Sequence, residues 1–170
     1  MRLQLFNHIK EVLTTIKNSK GKNIFKHISF YNAQILDAEN ENAFYLPAVL
    51  IEFNPITWNQ HSLGGQTATI TFALHVLTDA RNDLDKAMAT NIALCDTIHY
   101  SLHNATRSNG ISTLQRTNSL TDVDNAEIID GVETYKCFVN DQTALQQQNT
   151  TTIESLSIES SLNTAINLAV

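Results

Sequence analysis

Apolar residues recur along the chain with two different periods, and the places where the period changes mark the elements. Leu5, Ile9, Val12, Leu13 and Ile16 keep the spacing that lines one face of an α-helix. This predicts a helix over residues 2–18, ended by Asn18, Ser19 and Gly21. The following NIFKHISFYNAQIL is rich in β-branched and aromatic residues and predicts one strand or two short ones. DAENENAF then forms an acidic loop. LPAVLIEF is apolar nearly throughout, as in a strand covered on both faces, with Pro47 confined to its start or edge because it lacks a donor. In the next strand Ala68, Ile70, Phe72, Leu74 and Val76 face one side, and Thr67, Thr69, Thr71 and His75 the other.

Between these two strands lies NPITWNQHSLGG, residues 54–65, a polar bridge too long for a simple turn. Ordered loops of this length are more often functional than connective. The pair therefore reads as a long β-hairpin arm reaching toward a neighbour. Trp58, the single tryptophan, has two readings: it folds back onto the sheet, or it anchors a contact with another subunit. Ile56 and Leu63 flank it as further contact candidates.

TDARNDLDKAMATNIALCDTIHYSLHNA predicts the clearest helix, capped by Asn82 or Asp83, with Leu84, Met88, Asn91, Cys95, Ile98 and Leu102 as its buried stripe. Asn109 and Gly110 break the chain. ISTLQRTNSL and VETYKCFVND read as two closing strands, with Tyr135, Cys137 and Val139 alternating in the second. The order α-β-β-β-α-β-β predicts an α+β fold: a mostly antiparallel sheet with helices packed on one face, as one domain over residues 1–142. Residues 143–170 change character, with no Lys, Arg or aromatic residue. Leu156 and Ile158 alternate as in a strand, whereas Leu162, Ala165, Ile166 and Ala169 have helical spacing. The segment reads as an extended C-terminal arm that orders against a partner or along its own domain; plain disorder is the competing reading of so polar a composition.

Composition narrows the function. The chain has 170 residues, 42% hydrophobic and 16% charged, so it fills a real core yet leaves a surface dominated by neutral Asn, Gln, Thr and Ser. Its net charge of -6 gives no counterion-release drive for gripping DNA or RNA. Lys17, Lys20, Lys22 and Lys26 read as a solvated helix end, the alternative being a contact with an acidic neighbour. Two cysteines, Cys95 and Cys137, are too few for a disulfide scaffold and are expected as reduced core thiols. No signal peptide or membrane span is read, so a soluble protein made in a cytoplasm is expected.

The search for chemistry returns little. Cys95, His99 and His103 lie at i, i+4 and i+8 of one helix, and His75 could join them from a strand, the best candidate zinc set for a small metal-assisted hydrolase. Cys95 sits at the centre of the apolar stripe, which favours a core thiol beside two imidazoles at the solvent edge. No nucleophile elbow or phosphate loop occurs. Asp79, Asp83 and Asp85 could suggest magnesium, but acidic residues where a strand passes into a helix already serve as caps. No catalytic, metal or cofactor site is assigned.

The element order resembles the tail terminator (tail completion) proteins of long-tailed bacteriophages. The resemblance rests on the N-terminal helix, LPAVLIEF, the polar hairpin, TATITFALHVLTD, the helix with ALCDTIHYSL and the final GVETYKCFVND, and covers residues 1–142. It implies a virion protein, assembled in the host bacterial cytoplasm, whose copies form a ring, in that family a hexamer. The ring caps the tail tube, meets a neck or connector protein and lets DNA pass without specific binding. The C-terminal arm departs from that compact pattern. A neck or head-tail connector subunit is the neighbouring alternative. Ile56, Trp58 and Leu63 in the bridge and Leu156, Ile158, Leu162 and Ile166 in the arm are the expected interface residues.

Overall fold

The computed structural model describes residues 1–32, 45–61, 64–105, 110–122 and 127–144. Along the chain lie α1 (Arg2–Thr15), β1 (His27–Phe30), β2 (Ala48–Phe53), β3 (Asn59–Gln60), β4 (Gln66–Asp79), α2 (Leu84–Asn104), β5 (Gln115–Asp122) and β6 (Ile128–Asp141). The strands form one sheet in the order β1-β2-β4-β6-β5, with β3 beside the first residues of β4. Among the described strands only β1 and β2 pair in parallel, and every other pair is antiparallel. The α+β class and the mostly antiparallel sheet are as expected.

Several boundaries differ, each for a local reason. α1 stops at Thr15, three residues before the expected end. The hydroxyls of Thr14 and Thr15 donate to the carbonyls of Glu11 and Val12, and Asn18 Oδ1 accepts from the backbone of Lys20 and Lys22, so side chains take over the helix end. Gly21, at φ 73°, completes that turn. Asp83 caps α2 by accepting from Lys86 N. Leu84 is exposed and Met88 only partly buried; Ala87 and Leu94 join Asn91, Cys95, Ile98 and Leu102 in the buried stripe instead.

One large core holds the two layers together. Leu5, Ile9 and Leu13 of α1 and Leu94, Ile98 and Leu102 of α2 meet Val49, Ile51, Ile70, Phe72, Leu74, Val76, Tyr135 and Val139 of the sheet. Each such side chain contributes ~1.5–3 kcal/mol by leaving water. The alternation in β4 is as read, Ala68 through Val76 facing the helices. Val49 and Ile51 face the helices too, while Ala48 and Leu50 are buried on the opposite face with Leu77, so β2 is covered on both sides.

Where α2 crosses the sheet, Asn91 is fully buried. Its Nδ2 donates to Val76 O at 2.7 Å and Thr78 Oγ1 at 3.2 Å, satisfying a polar group in an apolar stripe. Gly131 permits this approach: a Cβ there would collide with Asn91 Oδ1 and lie 2.8 Å from Cys95 Sγ. Gly131→Ala is expected to destabilise the protein by ~1–3 kcal/mol through overpacking, read as a lowered urea midpoint. An unchanged midpoint would mean that the helix is free to shift.

On the opposite face His75 links three strands. Its Nδ1 lies 2.7 Å from Asp130 Oδ2 on β6, its Nε2 3.3 Å from Glu52 Oε2 on β2, and its ring stacks on Tyr31 with centroids 4.3 Å apart. A neutral imidazole has only one N–H, so only the imidazolium donates to both carboxylates. Burial opposes that charge, but the hydrogen bonds and charges of Asp130 and Glu52 outweigh it and hold the pKa above its ordinary value. The folded protein therefore binds this proton more tightly than the unfolded chain. Its stabilising contribution is full below about pH 6.5, the unfolded value, and is lost as pH rises through the higher folded value. Comparing urea midpoints across neutral pH, His75→Gln is expected to lose the part of the slope that this proton supplies; superimposable pH profiles would exclude the linkage.

Candidate assembly interface

Few β5 residues are covered. α2 lies against β4 and β6, and α1 reaches β1 through the stacked rings of Phe6 and Phe30, 3.9 Å apart. Beyond them β5 overhangs, and seven of its eight residues are exposed. It ends the sheet, so no described strand pairs with its outer side. Its described attachments include the ladder to β6 and a polar cluster at the α2 seam. There Arg116 reaches Glu133 at 3.2 Å and Asp96 at 3.4 Å, while Ser119 donates to Glu133 at 2.8 Å. The cluster satisfies the buried Glu133 carboxylate and pins the overhang without burying it.

The sheet face away from the helices is covered unevenly. Tyr31, Leu46 and Ile128 close over Ala48, Leu50 and Leu77 at the β1–β2 side. Toward β5 the face presents Thr67, Thr69 and Thr71 on β4, and Thr134, Lys136, Phe138 and Asn140 on β6, with Leu120 beside Val132. Phe138 is 50% exposed and Leu120 59%, large apolar groups on an otherwise neutral polar surface. The alternation of Tyr135, Cys137 and Val139 implied an outward Phe138 between Lys136 and Asn140. What it could not give was the two-sided exposure of β5, which depends on where α2 lies.

The bridge returns to its own domain. Asn54 N donates to Thr71 O, the chain then leaves β4, and Asn59 and Gln60 rejoin it opposite Thr67 and Gln66. In between, Ile56 and Trp58 pack against the main core, each partly exposed. Of the two readings of Trp58, the fold-back onto the sheet is the one adopted within the chain. Leu63, Leu156, Ile158, Leu162 and Ile166 lie outside the described residues. Lys17, Lys20, Lys22 and Lys26 are exposed around the turn after α1.

The zinc set does not come together. His75 points to the sheet face opposite α2, so it cannot join Cys95, His99 and His103. Among the described residues no group of three His, Cys, Asp or Glu side chains is placed to hold a metal ion. Both cysteines are free and buried. Burial, with Glu133 nearby, pushes the Cys95 thiol up to about 12, and burial pushes Cys137 up to about 11. Such thiols are poor nucleophiles and poor ligands near neutral pH. Asp79 pairs with Arg81 at 2.5 Å and Asp83 is used as a cap, which accounts for two of the three clustered carboxylates.

No described helix is long and apolar enough to cross a membrane. No family model matches the sequence. No curated protein matches it either. Among solved structures, the fold is similar to a chain of the virion of a native gene transfer agent particle. The TM-score is 0.52 at 15% sequence identity, covering 81% of this chain and 95% of the other. The identity is low, and what the two chains share is the fold, across nearly all of that virion chain.

Proposed function

We propose that this chain is a structural protein of a virion tail, with no catalytic role, assembled in the host bacterial cytoplasm. In this reading its copies close into a ring, a hexamer as in the family it resembles. The ring caps the tail tube and joins it to the neck or head. The observation that carries the reading is the fold shared with a virion chain over 95% of that chain's length. It agrees with the tail terminator resemblance read from element order. Strand β5 supports it, because among the described residues no strand pairs with its outer side and seven of its eight residues are exposed. A heterologous contact repeated about an axis closes into a ring when the rotation allows it.

Ending a polymer requires no bond chemistry: one face of the ring matches the tube and the other does not. A chain of net charge -6 gives a lumen to which DNA has little reason to adhere. Ile56, Trp58 and Leu63 of the bridge and Leu156, Ile158, Leu162 and Ile166 of the arm are the contact residues in this reading.

Native mass spectrometry of the full-length protein is expected to show one closed stoichiometry, and electron microscopy to show it at one end of purified tail tubes. The single Trp58, partly exposed in one copy, is expected to shift its emission to the blue on assembly. A protein that stays monomeric and never joins tubes would exclude this function. Binding to portal-side complexes alone would make it a neck subunit instead.

A further inference from the structure

One end of the sheet carries opposite charges at its two sides. Residues 12–36 contain no carboxylate, and their four lysines, Lys17, Lys20, Lys22 and Lys26, are all exposed where α1 passes into β1. Residues 117–135 contain no cation, and Asp122 and Glu127 are exposed where β5 ends and β6 is about to begin. Backbone pairing sets the two patches level with each other. His27 pairs with Ala48, Ala48 with Leu77, Leu77 with Asp130 and Asp130 with Asp122, one row crossing the sheet from β1 to β5. Lys26 adjoins that row, held by its N–H to Pro47 O, and Ile24 N donates to Ile16 O, which ties the lysine turn to the end of α1. Glu127 O accepts from Ala80 N, just past β4, so Glu127 belongs to the same end. We infer that the lysine turn before β1 docks a second copy of this chain, on the corner of that copy formed by Asp122 and Glu127.

Distance keeps the two patches from serving each other within one copy. From β1 to β5 is four strand spacings, about 19 Å. That is more than twice the Debye length of about 8 Å at physiological salt. Asp79, between them, is paired with Arg81. A nucleic acid backbone would also attract the lysines, but it would meet a copy whose net charge is -6, and it gives the acidic corner no role. A second copy uses both. Each copy offers its basic side to one neighbour and its acidic side to the other, the heterologous contact from which rings close. Exposed ion pairs add little affinity apiece, so these charges steer the approach and set which side meets which. Like charges oppose the contacts of β1 side with β1 side and β5 side with β5 side.

The docking rests on the ring reading, and a charge exchange separates the two. One full-length variant carries Lys20→Glu with Lys22→Glu, the other Asp122→Lys with Glu127→Lys; equal urea midpoints check that both fold. Native mass spectrometry is expected to show the wild type as a ring, each variant alone as a monomer, and an equimolar mixture as a ring in which the two variants alternate. Variants that each assemble like the wild type overturn the docking and leave the ring. Variants that stay monomeric when mixed overturn the pairing of these two patches. A wild type that forms no ring overturns both readings. Intact assembly together with loss of duplex DNA retention in Lys20→Glu, Lys22→Glu would assign the turn to phosphates and overturn the docking. As a second readout on the wild type, the concentration for half-assembly is expected to rise at least tenfold between about 0.05 M and about 0.5 M salt; a constant value contradicts the docking.

Discussion

The close crossing of α2 over the sheet at Asn91 and Gly131 is the contact on which the rest of the molecule depends. A helix packed on a sheet normally keeps its distance through side chains on both surfaces. Here one surface has no side chain, and the other inserts an amide that takes the Val76 carbonyl and the Thr78 hydroxyl. That amide sets the height and rotation of α2, and with them the positions of Cys95, Ile98 and Leu102 in the core. A buried amide without its partners would cost more than its packing returns, so the arrangement holds only in this register. With α2 fixed over β4 and β6, β5 is left outside the helical cover.

The two sides of the sheet are stabilised by different physics. The helix side is a continuous apolar core. The other side relies on a small apolar cluster near β1 and β2, and on His75 holding carboxylates from the strands on either side. Polar groups near α2 are tied into structure in the same way, with Glu133 satisfied by Arg116 and Ser119, and the thiols held protonated by burial. Of the titratable groups that looked like chemistry in the sequence, His75, Asp79 and Asp83 are tied into structure. Toward β5 the exposed sheet face is mostly neutral polar, with Phe138 and Leu120 on it and Lys136 as a charge among them.

Much of this was legible because it is local. The helical stripes, the alternation in β4 and β6 and the doubly covered β2 all follow from residue spacing, and the α+β class follows from their order. What was not legible depends on pairing between distant parts of the chain. His75 looked like a stray ligand because its partners, Glu52 and Asp130, are 23 and 55 residues away. Asn91 looked like an ordinary member of the α2 stripe, yet Gly131 in the middle of IIDGVETY was a sign of close approach to that strand. The early end of α1 was hidden in Thr14, Thr15 and Asn18, whose side chains compete with helix hydrogen bonds. The length of the bridge was visible in the sequence, which left two readings of Trp58 open; that Ile56 and Trp58 pack against the core depends on a turn that the sequence did not reveal.

The fourteen-rung ladder between β4 and β6 also governs how the protein comes into being. Its partners lie between 49 residues apart, at Asp79 and Ile128, and 75 apart, at Gln66 and Asp141. Loop closure must precede any reward from such distant pairs, so this topology folds slowly compared with a helical bundle of the same size. The least costly rung to form first is the one joining Asp79 to Ile128, beside the seat of Asn91, and zippering then proceeds toward Gln66 and Asp141. During translation β4 must wait for its β6 partner until nearly all of the described chain is synthesised, its apolar stripe meanwhile covered only by what α1 and α2 can offer.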